Sequence, residues 1–396
     1  MSLQLQLQMQ LSTIRNQSVS LSIHGSHHPN PSSPSPISNL SFRSSTVHQS
    51  SSLLPLLPHK RPNASVSVSV SSSSSRRPIP DLGIVASANS ADRDYVAAES
   101  PATELRRVLS SPGIHQIPAC FDALSAKLVE RAGFKCTFAG GFAISAARLG
   151  MPDAGLISYG EMVEQGRQIT QAVSIPVFGD ADTGYGNAMN VKRTVKEYIR
   201  AGFAGISLED QMSPKACGHT QGRKVVSREE AVMRIKAAVD ARKESGSDIV
   251  IVARSDSRQA ESLEESLWRA QAFADAGADV IFITALTSKQ EMIEFCKVAP
   301  HVPKLASMLE GGGKTPILSP AELEAIGYKL VLYPLSLLGV SIRAMQDALT
   351  SIESGHVPHE SMPTFTELKE IVGFDNYNKE EERYATHTSQ PVLAER

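Results

Sequence analysis

The sequence predicts an α/β fold, a (β/α)8 TIM barrel with extra C-terminal helices. After Pro101, short apolar runs alternate eight times with helical stretches. The runs are almost continuously hydrophobic, as expected of parallel strands that are covered on both faces. Three helical stretches also close on an Ala-Gly dipeptide, at 132–133, 201–202 and 276–277. A glycine is the usual residue just beyond a helix C-terminus.

The first four strands are each followed by a helical pattern or a polar loop. They are "GIHQIP" (113–118), "FKCTFAG" (134–140), "IPVFGDAD" (175–182) and "AGISLED" (204–210). The helices "FDALSAKLVERAG", "YGEMVEQGRQITQAV" and "NVKRTVKEYIRAG" connect them. A polar loop through Val226 follows the fourth strand and leads to the helix "SREEAVMRIKAAVDARKESG".

The last four strands repeat the pattern. They are "DIVIVARSD" (248–256), "ADVIFIT" (278–284), "PKLASML" (303–309) and "YKLVLYP" (328–334). A helical stretch follows each of them, and residues 362–386 indicate further helix. A doubly wound sheet is the alternative fold. However, the Rossmann GxGxxG pattern is absent, and "EGGGK" at 310–314 lacks P-loop spacing.

Composition divides the chain into three predicted regions, 1–85, 86–358 and 359–396. Residues 1–80 contain no Asp or Glu, six basic residues and many serines. This composition is typical of an organelle transit peptide, with chloroplast as the first destination and mitochondrion as the alternative. Residues 86–358 would form the barrel, and 359–396 a helical extension and tail. The net charge of −2 gives no reason to expect a nucleic-acid or membrane partner.

The four cysteines are widely spaced, so neither a disulfide framework nor a zinc site is indicated. Cys136 and Cys296 stand in apolar segments and are expected to be core thiols. Cys217 differs, because it stands between Lys215 and His219 in the loop that follows the fourth strand.

Acidic residues gather where the predicted strands end. Asp180 and Asp182 end the third strand, and Glu209 ends the fourth. In a barrel these ends converge, and carboxylates that close repel each other unless a cation joins them. Oxygen ligands suit Mg²⁺, with Mn²⁺ as a substitute. A single aspartate here would be a helix cap, but three together favour a metal site.

Arg254 ends the fifth strand, where an apolar run makes an unpartnered guanidinium costly. It would bind a substrate carboxylate, or alternatively pair with Glu209 or a nearby aspartate. The backbone N–H groups of Gly140 and Gly141 would cradle a carboxylate, with a tight turn as the alternative. Asp256 is interpreted as a structural cap.

Three segments, "GDADTGYGN", "LEDQMSPKACGH" and "ARSD", resemble the isocitrate lyase/phosphoenolpyruvate mutase superfamily, and the similarity covers residues 100–385. The resemblance implies Mg²⁺ at Asp180 and Asp182, with Glu209 acting through water. It also implies a closing loop at 211–226 and a tetramer whose last helices are swapped between subunits. The loop "KACGH" resembles that of the carbon–carbon lyases, which implies catalytic roles for Lys215, Cys217 and His219 and a substrate contact for Gly218.

The sequence departs from the superfamily pattern near Ala285, where methylisocitrate lyases carry Glu, and at two further positions, since the superfamily often has Ser where Ala139 stands and Asn near Ser307. Both are expected substrate contacts, so the departures bear on which substrate fits. The first functional hypothesis is a Mg²⁺-dependent lyase for 2-hydroxy dicarboxylates such as 2-alkylmalate, with Cys217 as general acid. The second is a phosphorylmutase acting on a phosphonate. The third is a non-catalytic barrel that binds a small acid.

Overall fold

The computed structural model describes residues 99–216, 222–358 and 362–385. The predicted transit peptide therefore lies outside the described residues. Eight strands are present: β1 (His115–Cys120), β2 (Thr137–Ala139), β3 (Val177–Asp180), β4 (Gly205–Glu209), β5 (Val250–Ser255), β6 (Val280–Ile283), β7 (Lys304–Ser307) and β8 (Leu330–Tyr333). They pair in parallel in sequence order, and β1 pairs with β8 to close the barrel. The predicted TIM barrel is confirmed.

Helices surround the barrel in chain order. They are α1 (Pro101–Ser110), α2 (Ala123–Arg131), α3 (Gly141–Leu149), α4 (Tyr159–Ala172), α5 (Ala188–Arg200), α6 (Arg228–Glu244), α7 (Ser257–Ala260), α8 (Leu263–Asp275), α9 (Lys289–Lys297), α10 (Pro320–Ile326), α11 (Ser336–Glu353), α12 (Phe365–Val372) and α13 (Phe374–Tyr384). The three Ala-Gly endings are confirmed. Each glycine follows its helix with a positive φ, +86° at Gly133, +90° at Gly202 and +96° at Gly277.

Alternate strand residues form two hydrophobic layers. Phe138, Phe178, Val252 and Leu332 belong to the cluster inside the barrel. Their neighbours in sequence, such as Ala139 and Ala253, belong to a cluster with the surrounding helices. This alternation fills the barrel, so function is left to the loops at its carboxyl end.

The strand pattern did not predict α1. Leu105 and Val108 of α1 join the interior cluster, and Leu105 is fully buried. Arg106 donates to the carbonyl of Asp248 at 2.8 Å, just before β5 begins. Helix α1 therefore covers the amino-terminal end of the barrel. Burying a leucine side chain there contributes about 1.5–3 kcal/mol.

The C-terminal helices carry an exposed apolar surface. In α11 only Leu338 is buried, whereas Val340, Met345, Leu349 and Ile352 are more than half exposed. The predicted helical tail is present as α12 and α13, which are separated at Gly373, where φ is +92°. Within the described part of the chain, no helix has the length and apolarity needed to span a membrane.

Candidate active site

A cavity opens at the carboxyl ends of the strands. Its polar lining comes from β3, β4, β5 and β7, from the residue after β6 and from the loop after α3, namely Asp180, Ser207, Arg254, Ser307, Thr284 and Asp153. Apolar lining comes largely from α3 and from the ends of β7 and β8, namely Phe142, Leu309, Leu332, Pro334 and Leu335. The charged residues Asp180 and Arg254 lie on β3 and β5, with Phe138 and Phe282 on the neighbouring strands, and the lining near β7 and β8 is mostly apolar.

The turn after β3 is shaped around the carboxylate of Asp180. The N–H of Gly141 donates to Oδ2 of Asp180 at 3.1 Å. A Cβ atom on Gly141 would lie 2.8 Å from the same oxygen, so any larger residue here would have to displace the Asp180 carboxylate. Gly140 does not offer its N–H to the cavity as predicted, because it donates to the carbonyl of Cys120 at 3.2 Å. Asp182 follows with φ +47°, an uncommon conformation for a residue other than glycine.

Lys215 lies at the centre of an acidic cluster. Its side chain is 4% exposed, and Nζ lies 2.8 Å from Oδ1 of Asp153 and in hydrogen-bond contact with Oδ1 of Asp182. Asp182 and Lys215 line a second cavity together with Thr183 and Tyr185. Lys215 therefore contacts Asp182, one of the predicted metal ligands, directly.

The β4–β5 register places Glu209 beside Arg254. Nη2 of Arg254 lies 3.2 Å from Oε2 of Glu209, and Nε lies 2.9 Å from Oδ2 of Asp256. The guanidinium also lies over the ring of Phe282, with 5.6 Å from Cζ to the centroid. Arg254 thus lines the cavity while held by the acidic partners that its salt-bridge interpretation predicted.

The interpretation of Asp256 as a cap is wrong. Asp256 precedes α7 but makes no side-chain capping hydrogen bond. Its carboxylate is fully buried and accepts hydrogen bonds from Arg254 and Arg223 instead. Burial without such cationic partners would be very costly for a carboxylate.

Burial and mutual repulsion raise the pKa values of two of these acids. Burial raises the pKa of Asp182 to about 6, Lys215 opposes this effect, and Asp180 and Asp153 add to it. Burial also raises the pKa of Glu209 well above its usual value, although Arg254 opposes it. Burial alone would lower the pKa of Lys215, but Asp182, Asp180 and Glu209 together hold it well above its usual value. The cluster therefore has more acidic groups than its cations balance.

The donors present fit a magnesium ion that keeps part of its water shell. Among the residues described, no three His, Cys, Asp or Glu side chains come together as a metal cage. Asp180, Asp182 and Glu209 thus do not converge as three direct ligands, since Asp182 pairs with Lys215 and Glu209 with Arg254. Mg²⁺ needs only one or two carboxylates besides water and substrate. Neither buried oxygen of Glu209 accepts a hydrogen bond from the described residues, as expected of a carboxylate that acts through water.

The remaining predicted residues are dispersed. Ser307 lines the cavity at the end of β7. Ala139 is buried, and its side chain packs with the helices outside the barrel rather than against the cavity. Cys217, Gly218 and His219 lie outside the described residues.

The sequence interpretation missed three polar residues that line the cavity, Asp153, Ser207 and Thr284. Asp153 lies in the loop "GMPDAG" after α3, where aspartate, proline and glycine indicate only a turn. Thr284 follows β6, and its buried hydroxyl has no hydrogen-bond partner among the described residues. A polar residue directly after an apolar strand was a usable signal for Thr284.

Known proteins of similar sequence are named as lyases and phosphomutases. The family model described as phosphoenolpyruvate phosphomutase matches residues 105–353. The 2,3-dimethylmalate lyase of Eubacterium barkeri is 42% identical over 288 residues, covering 72% of this chain and 98% of that protein. A chloroplastic carboxyvinyl-carboxyphosphonate phosphorylmutase of Arabidopsis thaliana is 40% identical over 290 residues, covering 72% and 84%.

Solved structures agree with these relatives. A 2,3-dimethylmalate lyase crystal structure has a TM-score of 0.70 and 35% identity, covering 73% of this chain and 97% of that one. Phosphonopyruvate hydrolase in complex with oxalate and Mg²⁺ has a TM-score of 0.65 and 30% identity, covering 72% and 99%. The chain therefore belongs to the phosphoenolpyruvate mutase family of the isocitrate lyase/phosphoenolpyruvate mutase superfamily.

Proposed function

We propose that this protein is a Mg²⁺-dependent lyase that cleaves a carbon–carbon bond in 2-hydroxy dicarboxylates, with 2-alkylmalates preferred. The observation that supports it most is the two-sided cavity. Arg254 and Asp180 stand on one side, and Leu309, Leu332 and Leu335 stand on the other, near β7 and β8. A 2-alkylmalate has two carboxylates for the first side and an alkyl group for the second.

In the proposed reaction the guanidinium of Arg254 binds a substrate carboxylate through charge-assisted hydrogen bonds. Mg²⁺ at Asp180 and Asp182, with Glu209 acting through water, would supply positive charge beside the substrate oxygens. The 2-hydroxyl loses its proton and becomes a keto group as the C2–C3 bond breaks. The electron pair of that bond passes to C3, which then takes a proton. The products are a 2-keto acid and a carboxylic acid.

Cys217 is the proposed proton donor to C3. It stands two residues after Lys215, whose Nζ contacts Asp153 and Asp182, so the two Cα atoms are at most about 7 Å apart. The loop stem on either side is paired, because Gln211 bridges to Val225 and the N–H of Met212 donates to the carbonyl of Lys224. Gly218 would allow close approach to substrate, and His219 would stabilise the charge that develops at C3.

Cys217→Ser tests this assignment. We expect loss of about 10²–10⁴-fold in kcat on a 2-alkylmalate, since general acid catalysis typically contributes that much. Binding of oxalate with Mg²⁺ should persist in calorimetry. Cys296→Ser is the matched control, because Cys296 lies on α9 away from the cavity. Full activity of Cys217→Ser would contradict the general-acid role.

A phosphorylmutase is the second candidate, favoured by the family match and the Arabidopsis relative. Of the described residues that line the first cavity, Arg254 is the single cationic side chain. Arg254 and the proposed Mg²⁺ would face a phosphonate dianion together with a carboxylate, one negative charge more than a 2-alkylmalate carries, which favours the lyase. Phosphorus NMR with phosphonopyruvate and Mg²⁺ distinguishes the two, since a mutase would convert the phosphonate signal to a phosphate ester signal.

We also propose chloroplast import and assembly as a homotetramer. The acid-free, serine-rich composition of residues 1–80 and the chloroplastic name of the Arabidopsis relative support the first. A fluorescent fusion of residues 1–85 tests it, with mitochondrial signal as the contrary result. The exposed apolar side chains of α11 support exchange of the last helices between subunits.

A further inference from the structure

We propose that Asp256 is a positioning residue that orients the substrate clamp Arg254, and that Arg223 ties the stem of the 212–224 loop to the same carboxylate. This inference rests on the proposed function, in which Arg254 binds a substrate carboxylate.

Asp256 accepts two hydrogen bonds from one edge of the Arg254 guanidinium. Nε of Arg254 donates to Oδ2 at 2.9 Å, and Nη2 donates to Oδ1 at 3.1 Å. A two-point contact of this kind fixes both the position and the plane of a guanidinium. With Nε and Nη2 held, the Nη1 end of Arg254 is left for the cavity that Arg254 lines.

Asp256 is itself held rigidly. Its N–H donates to Oδ1 of Asp210 at 2.8 Å. Asp210 is fixed in turn by the hydroxyl of Ser255 at 2.7 Å and by Nη1 of Arg269 at 3.1 Å. All of these side chains are buried. A clamp supported by such a buried network keeps its geometry before substrate arrives.

Arg223 connects this network to the loop. Its side chain is 1% exposed, and Nη1 lies 3.3 Å from Oδ1 of Asp256. Arg223 stands on the returning stem, beside the pairing of Met212 with Lys224. On the outgoing stem Lys215 contacts Asp153 and Asp182. Each stem is thus attached to a different acidic group of the site.

Among the described residues, the carboxylate of Asp256 makes hydrogen bonds only with arginine side chains. It caps no helix, and its hydrogen-bond partners are the two arginines. Removing its charge while keeping its shape should therefore act through Arg254.

Asp256→Asn tests the inference in the full-length protein with Mg²⁺. We expect kcat/KM for a 2-alkylmalate to fall about 10²-fold, as a misplaced binding group typically causes, with most of the change in KM. Calorimetry should show weaker oxalate binding and nearly unchanged Mg²⁺ binding. Asp279→Asn is the matched control. Asp279 also pairs with two arginines, Arg106 and Arg242, but it lies before β6 at the opposite end of the barrel.

A double-mutant cycle separates positioning from general stability. If Asp256 acts through Arg254, adding Asp256→Asn to Arg254→Ala should cause no further loss of kcat/KM. Additive losses, or wild-type kinetics of Asp256→Asn, would overturn the inference. If Asp256→Asn does not fold, Arg223→Gln provides the same test. Arg223→Gln should lower kcat/KM about tenfold in the wild-type protein and should cause no further loss when it is added to Arg254→Ala. Wild-type kinetics of Arg223→Gln would then overturn it.

The proposed function can fail separately. Wild-type protein without lyase activity, together with oxalate binding that Arg254→Ala leaves unchanged, would refute the clamp itself. A large loss in Arg254→Ala with none in Asp256→Asn would refute the positioning role alone.

Discussion

Replacing Lys215 by methionine should destabilise the protein strongly when Mg²⁺ is absent and less when it is present. The ammonium of Lys215 is buried between Asp153 and Asp182, and both carboxylates lose that partner in Lys215→Met. Removing one member of a buried ion pair typically costs about 3–5 kcal/mol, because the other charge stays buried and unpaired. We therefore expect the free energy of unfolding to fall by that amount in a chelated buffer.

Added Mg²⁺ should restore part of the loss. A divalent ion beside Asp180 and Asp182 replaces the missing positive charge, and in the variant it no longer meets repulsion from the ammonium. If the variant binds Mg²⁺ about tenfold more tightly than wild type, saturating metal narrows the difference in stability by about 1.4 kcal/mol. Tighter binding narrows it further.

Urea unfolding with EDTA and with saturating MgCl₂ measures both quantities. Arg269→Met is the matched control, because Arg269 is also buried and pairs with Asp210 and Glu265 rather than with the candidate metal ligands. Its loss of stability should be the same in both buffers. An equal loss for Lys215→Met with and without Mg²⁺ would refute the placement of the ion beside Asp182.

Three further predictions concern pH and assembly. Mg²⁺ binding should weaken below about pH 6, because burial raises the pKa of Asp182 to about 6 and protons then compete with the metal. A Mg²⁺ affinity that calorimetry finds unchanged between pH 5 and 7 would contradict this. Burial lowers the pKa of Lys304 from 10.5 to about 8, so the unfolded chain binds more protons between these values and stability should rise with pH across them. Urea titrations should show the rise in wild type and not in Lys304→Met, and a rise in both would contradict it. Leu349→Glu, on the exposed face of α11, should reduce the oligomer mass in light scattering, whereas an unchanged mass would exclude that face from the interface.

The barrel could be predicted from sequence because its determinants are local. Each strand is a short apolar run, and glycines with positive φ end several helices, so periodicity and turn chemistry located all eight strands. Helix α1 escaped the pattern. Its apolar side chains cover the end of the barrel, which becomes recognisable only when the barrel is closed.

Partner choice within the site could not be predicted in the same way. Asp153 and Lys215 form an ion pair although they are far apart in sequence. Each stands in a loop whose sequence indicates only a turn. Asp256 looked like a cap because an aspartate before a helix often caps it, yet its carboxylate pairs with Arg254, two residues earlier, and with Arg223 of the loop after β4. Side-chain pairing across loops depends on tertiary geometry that composition and spacing do not carry.

The charged groups form two sets that differ in charge balance. Glu209 and Asp256 face Arg254 and Arg223, so this set is neutral. Among the described residues, Asp153 and Asp182 pair with Lys215, whereas Asp180 is attracted to Lys215 and Arg254 without an ion pair, so this second set has two excess negative charges when all three acids are ionised. A buried excess of negative charge of that size is stable only if protons or a cation neutralise it. The raised pKa of Asp182 shows that protonation of this carboxylate is one way to neutralise it. The proposed Mg²⁺ would neutralise the same excess from a position beside Asp180 and Asp182, which would leave Arg254 available for substrate.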